Sequence, residues 1–152
     1  MFENRLNDKK FNEMMDMREK PVIAIIGLGY VGLPLAVAFS KKYDVVGYDI
    51  DQERVHDLNN LYDRTLEISE KDLQEVLKNG DEKRGLLVTS EVNDLTRANV
   101  YIITVPTPVD KHNRPVLSPL ISASRLVATN LRKNDIVVYE STVYPGVTEE
   151  IM

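Results

Sequence analysis

The sequence predicts a single α/β domain in which helices cover both faces of a doubly wound parallel β-sheet. Short runs of β-branched residues alternate with segments that have the apolar spacing of helices, as in βαβ units. A glycine-rich turn joins the first such run to the first such segment. The length of 152 residues is close to that of one domain and is enough to bury a core.

The composition excludes several classes of function. A formal net charge of -5 disfavours nucleic acid and anionic membranes as partners, because both need a basic face. The chain has no Cys, which excludes disulfides, thiolate metal ligands and a cysteine nucleophile, and agrees with a cytoplasmic location. The two histidines, His56 and His112, lie far apart and are expected at the surface. No metal site is therefore predicted.

The uncharged run from Val22 to Phe39 has three possible interpretations. A signal peptide would use Ala36–Ala38 as its cleavage site, but the 20 preceding residues carry five acids and five bases, a poor amino-terminal region. A membrane span has the required length, but glycines and Pro34 interrupt its middle. A strand, turn and helix that hold a dinucleotide use every one of these residues, so this interpretation is favoured.

The favoured interpretation gives each part of the run a role. Val22–Ile26 is predicted to be a strand buried on both faces. In the GxGxxG spacing that follows, Gly27 would make the tight turn, Gly29 would let the backbone approach a pyrophosphate, and Gly32 would let the helix pack closely. Leu33–Lys42 is the predicted helix, and its free N–H groups form an anion site. The pattern is typical of a Rossmann-like sheet.

An acidic residue stands at the expected distance from the glycines. The second predicted strand, Asp44–Tyr48, leads into Asp49, which lies 22 residues after Gly27, where a carboxylate meets an adenosine ribose. This carboxylate would accept hydrogen bonds from a 2′-hydroxyl and repel a 2′-phosphate, so NAD is favoured over NADP. The alternative is a glycine turn that binds nothing, with Asp49 as a helix cap.

Arg54 has two interpretations of equal weight. It is close enough in sequence to stack on or pair with the adenosine end of the cofactor. It could equally be a solvated residue in the first turn of the next helix.

The rest of the chain continues the alternation of strands and helices. Three more strands are predicted: Leu86–Thr89, Val100–Ile103 and Asp135–Tyr139. A helix is predicted over Asp51–Tyr62, with Asp51 as its cap and with Val55, Leu58, Leu61 and Tyr62 buried. The next helix is capped by Ser69, buries Leu73, Val76 and Leu77, and is closed by Asn79–Gly80. A turn of helix follows at Glu91–Leu95, and the last helix has Ser118 as cap and Pro119 first, with Leu120, Ile121, Val127, Ala128 and Leu131 facing the sheet. Residues 1–20 are interpreted as an appendage, helical or flexible, to a domain over residues 21–152.

Two predicted strand ends carry polar groups, and ligands of such sheets bind beyond the carboxyl ends of the strands. Thr104–Pro108 contains two prolines that would expose the hydroxyls of Thr104 and Thr107. Glu140–Gly146 places three polar side chains before a helix that Pro145 would open. Each segment also fits a plain role, as a rigid loop or an ordinary helix entry.

Taken together, the segments GLGYVGLPLA, YDID, VPTPVD and YESTVYPG resemble the UDP-glucose/GDP-mannose dehydrogenase family. The resemblance runs from Val22 to the last residue. The segment ESTVYPG resembles the branch that oxidises UDP-N-acetylhexosamines, namely UDP-N-acetyl-glucosamine, -galactosamine or -mannosamine. The resemblance implies an NAD-dependent oxidoreductase that converts the C6 hydroxymethyl of a nucleotide sugar to a carboxylate with two NAD⁺, for surface polysaccharides.

The resemblance also implies roles for individual residues. It places Gly27, Gly29, Tyr30, Val31 and Gly32 at the pyrophosphate, Asp49 at the adenosine ribose, Arg54 near the adenosine end, and Val105, Pro106 and Thr107 along the cofactor cleft. Thr142 would lie beside the nicotinamide and assist catalysis.

The sequence departs from the family in one respect. The family's catalytic Cys, Lys, Asn and Asp come from later parts of the chain, and the sequence stops at Met152. We therefore expect an amino-terminal fragment, truncated before the central helix and the sugar-nucleotide domain, that binds NAD without turnover. The full-length protein is expected to be a homodimer or larger. The alternatives are a stand-alone NAD-sensing module and the first domain of a β-hydroxyacid or 6-phosphogluconate type of dehydrogenase.

Overall fold

The structure, a computed structural model, describes residues 21–78 and 84–141. The five strands are β1 (Val22–Ile26), β2 (Asp44–Tyr48), β3 (Gly85–Thr89), β4 (Val100–Ile103) and β5 (Ile136–Tyr139). The helices are α1 (Gly32–Ser40), α2 (Gln52–Asn59), α3 (Glu70–Val76), a 3-10 helix (Val92–Arg97) and α4 (Ser118–Ala128). The predictions for residues 1–20, Asn79–Gly80, Thr142 and the helix after Pro145 lie outside the described residues.

The strands form one parallel sheet in the order β3-β2-β1-β4-β5. Strand β1 is central: Val22 pairs with Asp44 of β2 on one side, and Ile23 pairs with Val100 of β4 on the other. The chain moves outward from β1 to β3 and then crosses back to β4, so the direction of winding reverses between β1 and β4. A crevice at the carboxyl ends of these two strands is where such sheets bind ligands. The predicted fold class is confirmed.

Both faces of the sheet are covered, because successive strand residues point to opposite faces. Ile23 and Ile25 of β1 pack in the cluster that contains α1, α2 and α3, while Ala24 and Ile26 pack in the cluster that contains α4. Two apolar layers therefore hold the central strand in place. Among the described residues, no helix combines the length and apolar character needed to cross a membrane.

Helix ends differ from the predicted ones in several places. Helix α2 stops at Asn59 and Leu61 adopts a φ of 64°, so Tyr62 is exposed rather than buried. Helix α4 begins at Ser118 with Leu117 before it, so Ser118 is not the cap. The same helix stops at Ala128. The predictions that Ala128 and Leu131 face the sheet are therefore wrong, since both are exposed.

Helices α2 and α3 begin with the predicted side-chain caps. The Asp51 carboxylate accepts hydrogen bonds from the N–H groups of Glu53 and Arg54. The Ser69 hydroxyl accepts one from the N–H of Asp72. These caps satisfy N–H groups that a helix leaves free in its first turn.

Candidate functional site: the glycine loop and its surroundings

The glycine loop, residues 27–32, connects β1 to α1 at the crevice. Gly27 has a φ of 97°, a conformation that residues with a side chain rarely adopt. Its N–H donates to the carbonyl of Tyr48 at 2.8 Å, which fastens the turn to β2. On the other side, a Cβ on Gly27 would lie 3.2 Å from Cγ1 of Val105. The first glycine is thus enclosed by β2 on one side and by the segment that follows β4 on the other.

Gly32 allows the closest approach within the loop. A Cβ at this position would overlap the carbonyl oxygen of Gly27 and lie 2.5 Å from Oγ1 of Thr104. Only a hydrogen atom fits there, so α1 can start directly against the end of β1. This is the close helix packing that the third glycine of the motif was predicted to provide.

The outer part of the loop is open. A Cβ on Gly29 would meet nothing within 4 Å, and Tyr30 and Val31 are exposed. Within the described part of the chain, the N–H groups of Gly29, Tyr30, Val31 and Gly32 donate to no protein acceptor. Four adjacent free donors at the positive end of a helix dipole are an arrangement that binds anions.

Helix α1 differs from its neighbours at this end. Its cap position is Val31, no side chain accepts a hydrogen bond from its first turn, and that turn has no acidic residue. In α2 and α3 the corresponding donors are occupied by Asp51 and Ser69. The first turn of α1 is therefore left available to an external acceptor, such as a phosphate oxygen.

Asp49 lies beside the loop at the end of β2. Its Oδ2 accepts the N–H of Leu28 at 2.8 Å, and its Oδ1 accepts the N–H of Asp51 at 3.0 Å. A carboxylate has about four acceptor positions, so two remain for hydroxyl groups of a ligand. The side chain is held in one orientation and is half-buried. The structure brings the predicted acid and the predicted glycines together.

Arg54 is buried, with 4% of its surface exposed, so the interpretation as a solvated residue is wrong. Its Nε and Nη2 donate to the carbonyl of Leu28 at 2.9 and 2.8 Å. Its Nη1 lies 2.7 Å from Oδ1 of Asp63 in an ion pair, although no N–H of Nη1 is well aligned with that oxygen. The guanidinium is thus occupied by protein groups. A direct contact with the adenosine end remains a prediction.

The opposite wall of the crevice follows β4. The Thr104 hydroxyl was expected to be exposed, but Thr104 is buried and donates to the carbonyl of Gly27 at 2.7 Å. It fastens the glycine loop instead of facing a ligand. Val105 is half-buried, Pro106 is exposed and Thr107 is half-buried. The carbonyl of Val105 accepts a hydrogen bond from the Ser141 hydroxyl at 2.6 Å, which joins the ends of β4 and β5.

The structure places two residues in this site that no sequence pattern indicates, Leu28 and Asp63. Leu28 has no predicted role, yet its backbone is bound from both sides by Asp49 and Arg54. Asp63 lies in the segment after α2, where no periodicity marks it as buried. A backbone role has no sequence signal, and a buried Arg cannot be told from an exposed one until its partner is known.

These features fit a dinucleotide. The free N–H groups suit a pyrophosphate, the fixed carboxylate of Asp49 suits ribose hydroxyls, and the open space at Gly29 leaves room for the ligand. Across the described ranges, no group of three or more His, Asp or Glu could hold a metal ion.

A comparison with protein families identifies the chain. The model described as "UDP-glucose/GDP-mannose dehydrogenase family, NAD binding domain" matches residues 21–152. The chain belongs to this family. Because the matching model is that of its NAD-binding domain, NAD is the cofactor, as the sequence predicted.

Similar proteins of the UDP-glucose/GDP-mannose dehydrogenase family are much longer. The UDP-N-acetyl-D-glucosamine 6-dehydrogenases of Salmonella typhi and Pseudomonas aeruginosa are 54% and 51% identical over 128 residues, which is 84% of this chain and 28% and 29% of theirs. The structure of UDP-D-ManNAc dehydrogenase from Pyrococcus horikoshii matches with a TM-score of 0.77 and 43% identity, covering 84% of this chain and 30% of that one. The chain thus spans less than a third of these relatives.

Proposed function

We propose that this chain supplies the NAD-binding part of a UDP-N-acetylhexosamine 6-dehydrogenase. The observation that carries the proposal is the pairing of four free N–H groups at residues 29–32 with the fixed carboxylate of Asp49. The four N–H groups would bind the pyrophosphate, and Asp49 would accept hydrogen bonds from the adenosine ribose.

The proposal assigns NAD⁺ rather than NADP⁺ to this site. A 2′-phosphate would bring negative charge against the carboxylate of Asp49, which two backbone N–H groups hold in place. The exposed residues that follow, Ile50 and Asp51, offer no cation to balance that charge. A hydroxyl at the same position would instead donate to a free lone pair of Asp49.

The nucleotide sugar and the catalytic step are proposed for the longer protein. Relatives named as UDP-N-acetylglucosamine and UDP-N-acetylmannosamine dehydrogenases support the class of substrate. Oxidation of C6 to the acid would use two NAD⁺, with Thr142 beside the nicotinamide and Val105, Pro106 and Thr107 along the cofactor. A cytoplasmic enzyme of polysaccharide synthesis, assembled as a homodimer or larger, completes the proposal.

Calorimetric titration of the 152-residue chain with NAD⁺ and NADP⁺ tests the cofactor part. We expect NAD⁺ to bind at least about tenfold more tightly than NADP⁺, and Asp49→Ala to weaken NAD⁺ binding by about tenfold or more, because hydrogen bonds to a charged group are lost. Asp135→Ala is the control. It makes the same change at the amino-terminal ends of the strands, opposite to Asp49, and should leave both affinities unchanged.

Two results would contradict the proposal. One is the absence of NAD⁺ binding in a chain that is shown to be folded. The other is equal binding of NAD⁺ and NADP⁺ by both the unsubstituted chain and Asp49→Ala. Oxidation of any UDP-sugar by this chain alone would contradict the expectation that it binds NAD without turnover.

A further inference from the structure

Leu28 is held by its backbone from two sides. Its N–H donates to Asp49, and its carbonyl accepts two hydrogen bonds from Arg54, at 2.9 and 2.8 Å. The Leu28 side chain is fully buried, so the residue has little freedom to move. Both contacts come from segments that follow β2, more than 20 positions along the chain.

The grip on this carbonyl determines the direction of the next N–H. A peptide unit is planar and trans, so the N–H of Gly29 points opposite to the carbonyl of Leu28. That carbonyl points inward to the buried guanidinium of Arg54. The N–H of Gly29 therefore points outward, to the open side where it has no acceptor within the described residues.

Arg54 can stay buried because Asp63 balances its charge. The two side chains are 5% and 1% exposed and lie 2.7 Å apart. A buried charge without a partner would be costly. Arg54 reaches Leu28 with two nitrogens while the third faces Asp63, an arrangement that needs the planar fork of an Arg.

Asp63 is itself fixed by the segment that follows it. It accepts hydrogen bonds from the N–H and hydroxyl of Thr65 and from the N–H groups of Glu67 and Ile68. Burial alone would raise the pKa of this carboxyl, but these hydrogen bonds and Arg54 outweigh it and hold the pKa at about 2. Asp63 therefore stays charged at neutral pH.

We propose that Asp63 and Arg54 are positioning residues that aim the N–H of Gly29 at the cofactor pyrophosphate. The inference rests on the proposed function and deepens it. Asp63 holds the Arg54 guanidinium, the guanidinium holds the carbonyl of Leu28, and the planar peptide transmits that orientation to Gly29. In this arrangement both charged side chains act on the pyrophosphate through the backbone of Leu28, not by contact with the pyrophosphate itself.

A comparison of two ligands separates this role from a direct contact. ADP-ribose contains the pyrophosphate, whereas adenosine contains only the part of the ligand near Asp49. Asp63→Asn and Arg54→Lys should each weaken ADP-ribose binding by about tenfold, the loss of one good hydrogen bond. Both variants should change adenosine binding by less than about twofold.

The chain contains a matched control. Asp57 and Arg64 form a second Asp–Arg pair at 2.7 Å, but both side chains are partly exposed and neither contacts the glycine loop. Asp57→Asn should leave the binding of both ligands unchanged. NMR titrations of ¹⁵N-labelled chain measure both affinities, and the same spectra show that each variant is folded. Arg54→Lys, which keeps the positive charge, carries the test if Asp63→Asn does not fold.

The outcomes are distinct. Loss of ADP-ribose binding alone supports the inference. Equal loss for both ligands overturns it in favour of a direct contact with the adenosine end or a general loss of structure, and no loss for either ligand also overturns it. If the unsubstituted chain binds neither NAD⁺ nor ADP-ribose, the proposed function fails and the inference fails with it.

Discussion

Gly29 and Gly32 lie three positions apart in one loop, yet their surroundings are opposite. A Cβ on Gly32 would overlap the carbonyl oxygen of Gly27 and press on the Thr104 hydroxyl, whereas a Cβ on Gly29 would meet nothing within 4 Å. One glycine serves the packing of the protein against itself. The other leaves space where the protein has no atoms of its own, next to N–H groups without acceptors.

The difference shows how the loop combines rigidity with an open surface. Its inner side is fastened to three elements: to β2 through Tyr48 and Asp49, to α2 through Arg54, and to the end of β4 through Thr104. These contacts fix the loop backbone when the protein folds. The loop therefore loses less conformational entropy when a ligand binds to its outer side. Substitutions on the two sides should therefore affect different quantities.

The largest effect on stability is expected for Gly32→Ala. The added methyl group would collide with backbone as well as with Thr104, so β1 and α1 would have to separate. We expect a loss of about 3 kcal/mol or more in the free energy of unfolding, measured by urea denaturation. A loss below about 1 kcal/mol would show that the start of α1 is not tightly packed.

The next largest effect is expected in the pH dependence of stability, through Asp63 on the inner side of the loop. The pKa of Asp63 is lowered from 3.8 to about 2, so its stabilising contribution is complete above about pH 4 and is lost as the pH falls through about 2. We expect the stability difference between the unsubstituted chain and Asp63→Asn to shrink by about 2 kcal/mol between pH 6 and pH 2. Asp110 also has a lowered pKa, but it is present in both chains and cancels.

Urea denaturation at a series of pH values measures that difference. Parallel stability curves for the two chains would contradict a special state of Asp63, whatever their absolute values.

The smallest effect on stability, with a clear effect on binding, is expected for Gly29→Ala. The methyl group has open space and Gly29 does not have a positive φ, so the free energy of unfolding should change by less than about 0.5 kcal/mol. The same methyl group would project toward the predicted pyrophosphate and should weaken NAD⁺ binding by about tenfold. Calorimetry and urea denaturation on one sample check both parts, and a stable variant with full affinity would contradict the placement of the ligand.

The central strands, the glycine loop and Asp49 can be predicted from the sequence pattern. Strands β1 and β2 begin and end at the predicted residues, because short, mostly apolar runs that are buried over four of their five residues leave few alternatives. The glycines and Asp49 are recognisable because their spacing reflects a backbone geometry that few other residues permit. The predicted family follows from four motifs in order and is confirmed by the matching family model.

Other features depend on contacts that no local pattern reports. The buried state of Arg54 depends on Asp63, nine positions later, in a segment organised by hydrogen bonds rather than by apolar spacing. Thr104 faces the glycine loop because of where β4 lies in the sheet. The end of α2 depends on the left-handed conformation of Leu61, which a leucine does not announce in the sequence.

The most direct test of the central claim is an NMR titration of the ¹⁵N-labelled chain with NAD⁺. The claim is that the outer side of the glycine loop is a phosphate site preformed by its inner side. We predict that the largest chemical-shift changes occur at the amides of residues 29–32 and near Asp49. The amides of Asp44 and Asp135, at the amino-terminal ends of the strands, should change little. The claim would be contradicted if the largest changes occurred at the amino-terminal ends of the strands, or if a large excess of NAD⁺ produced no change.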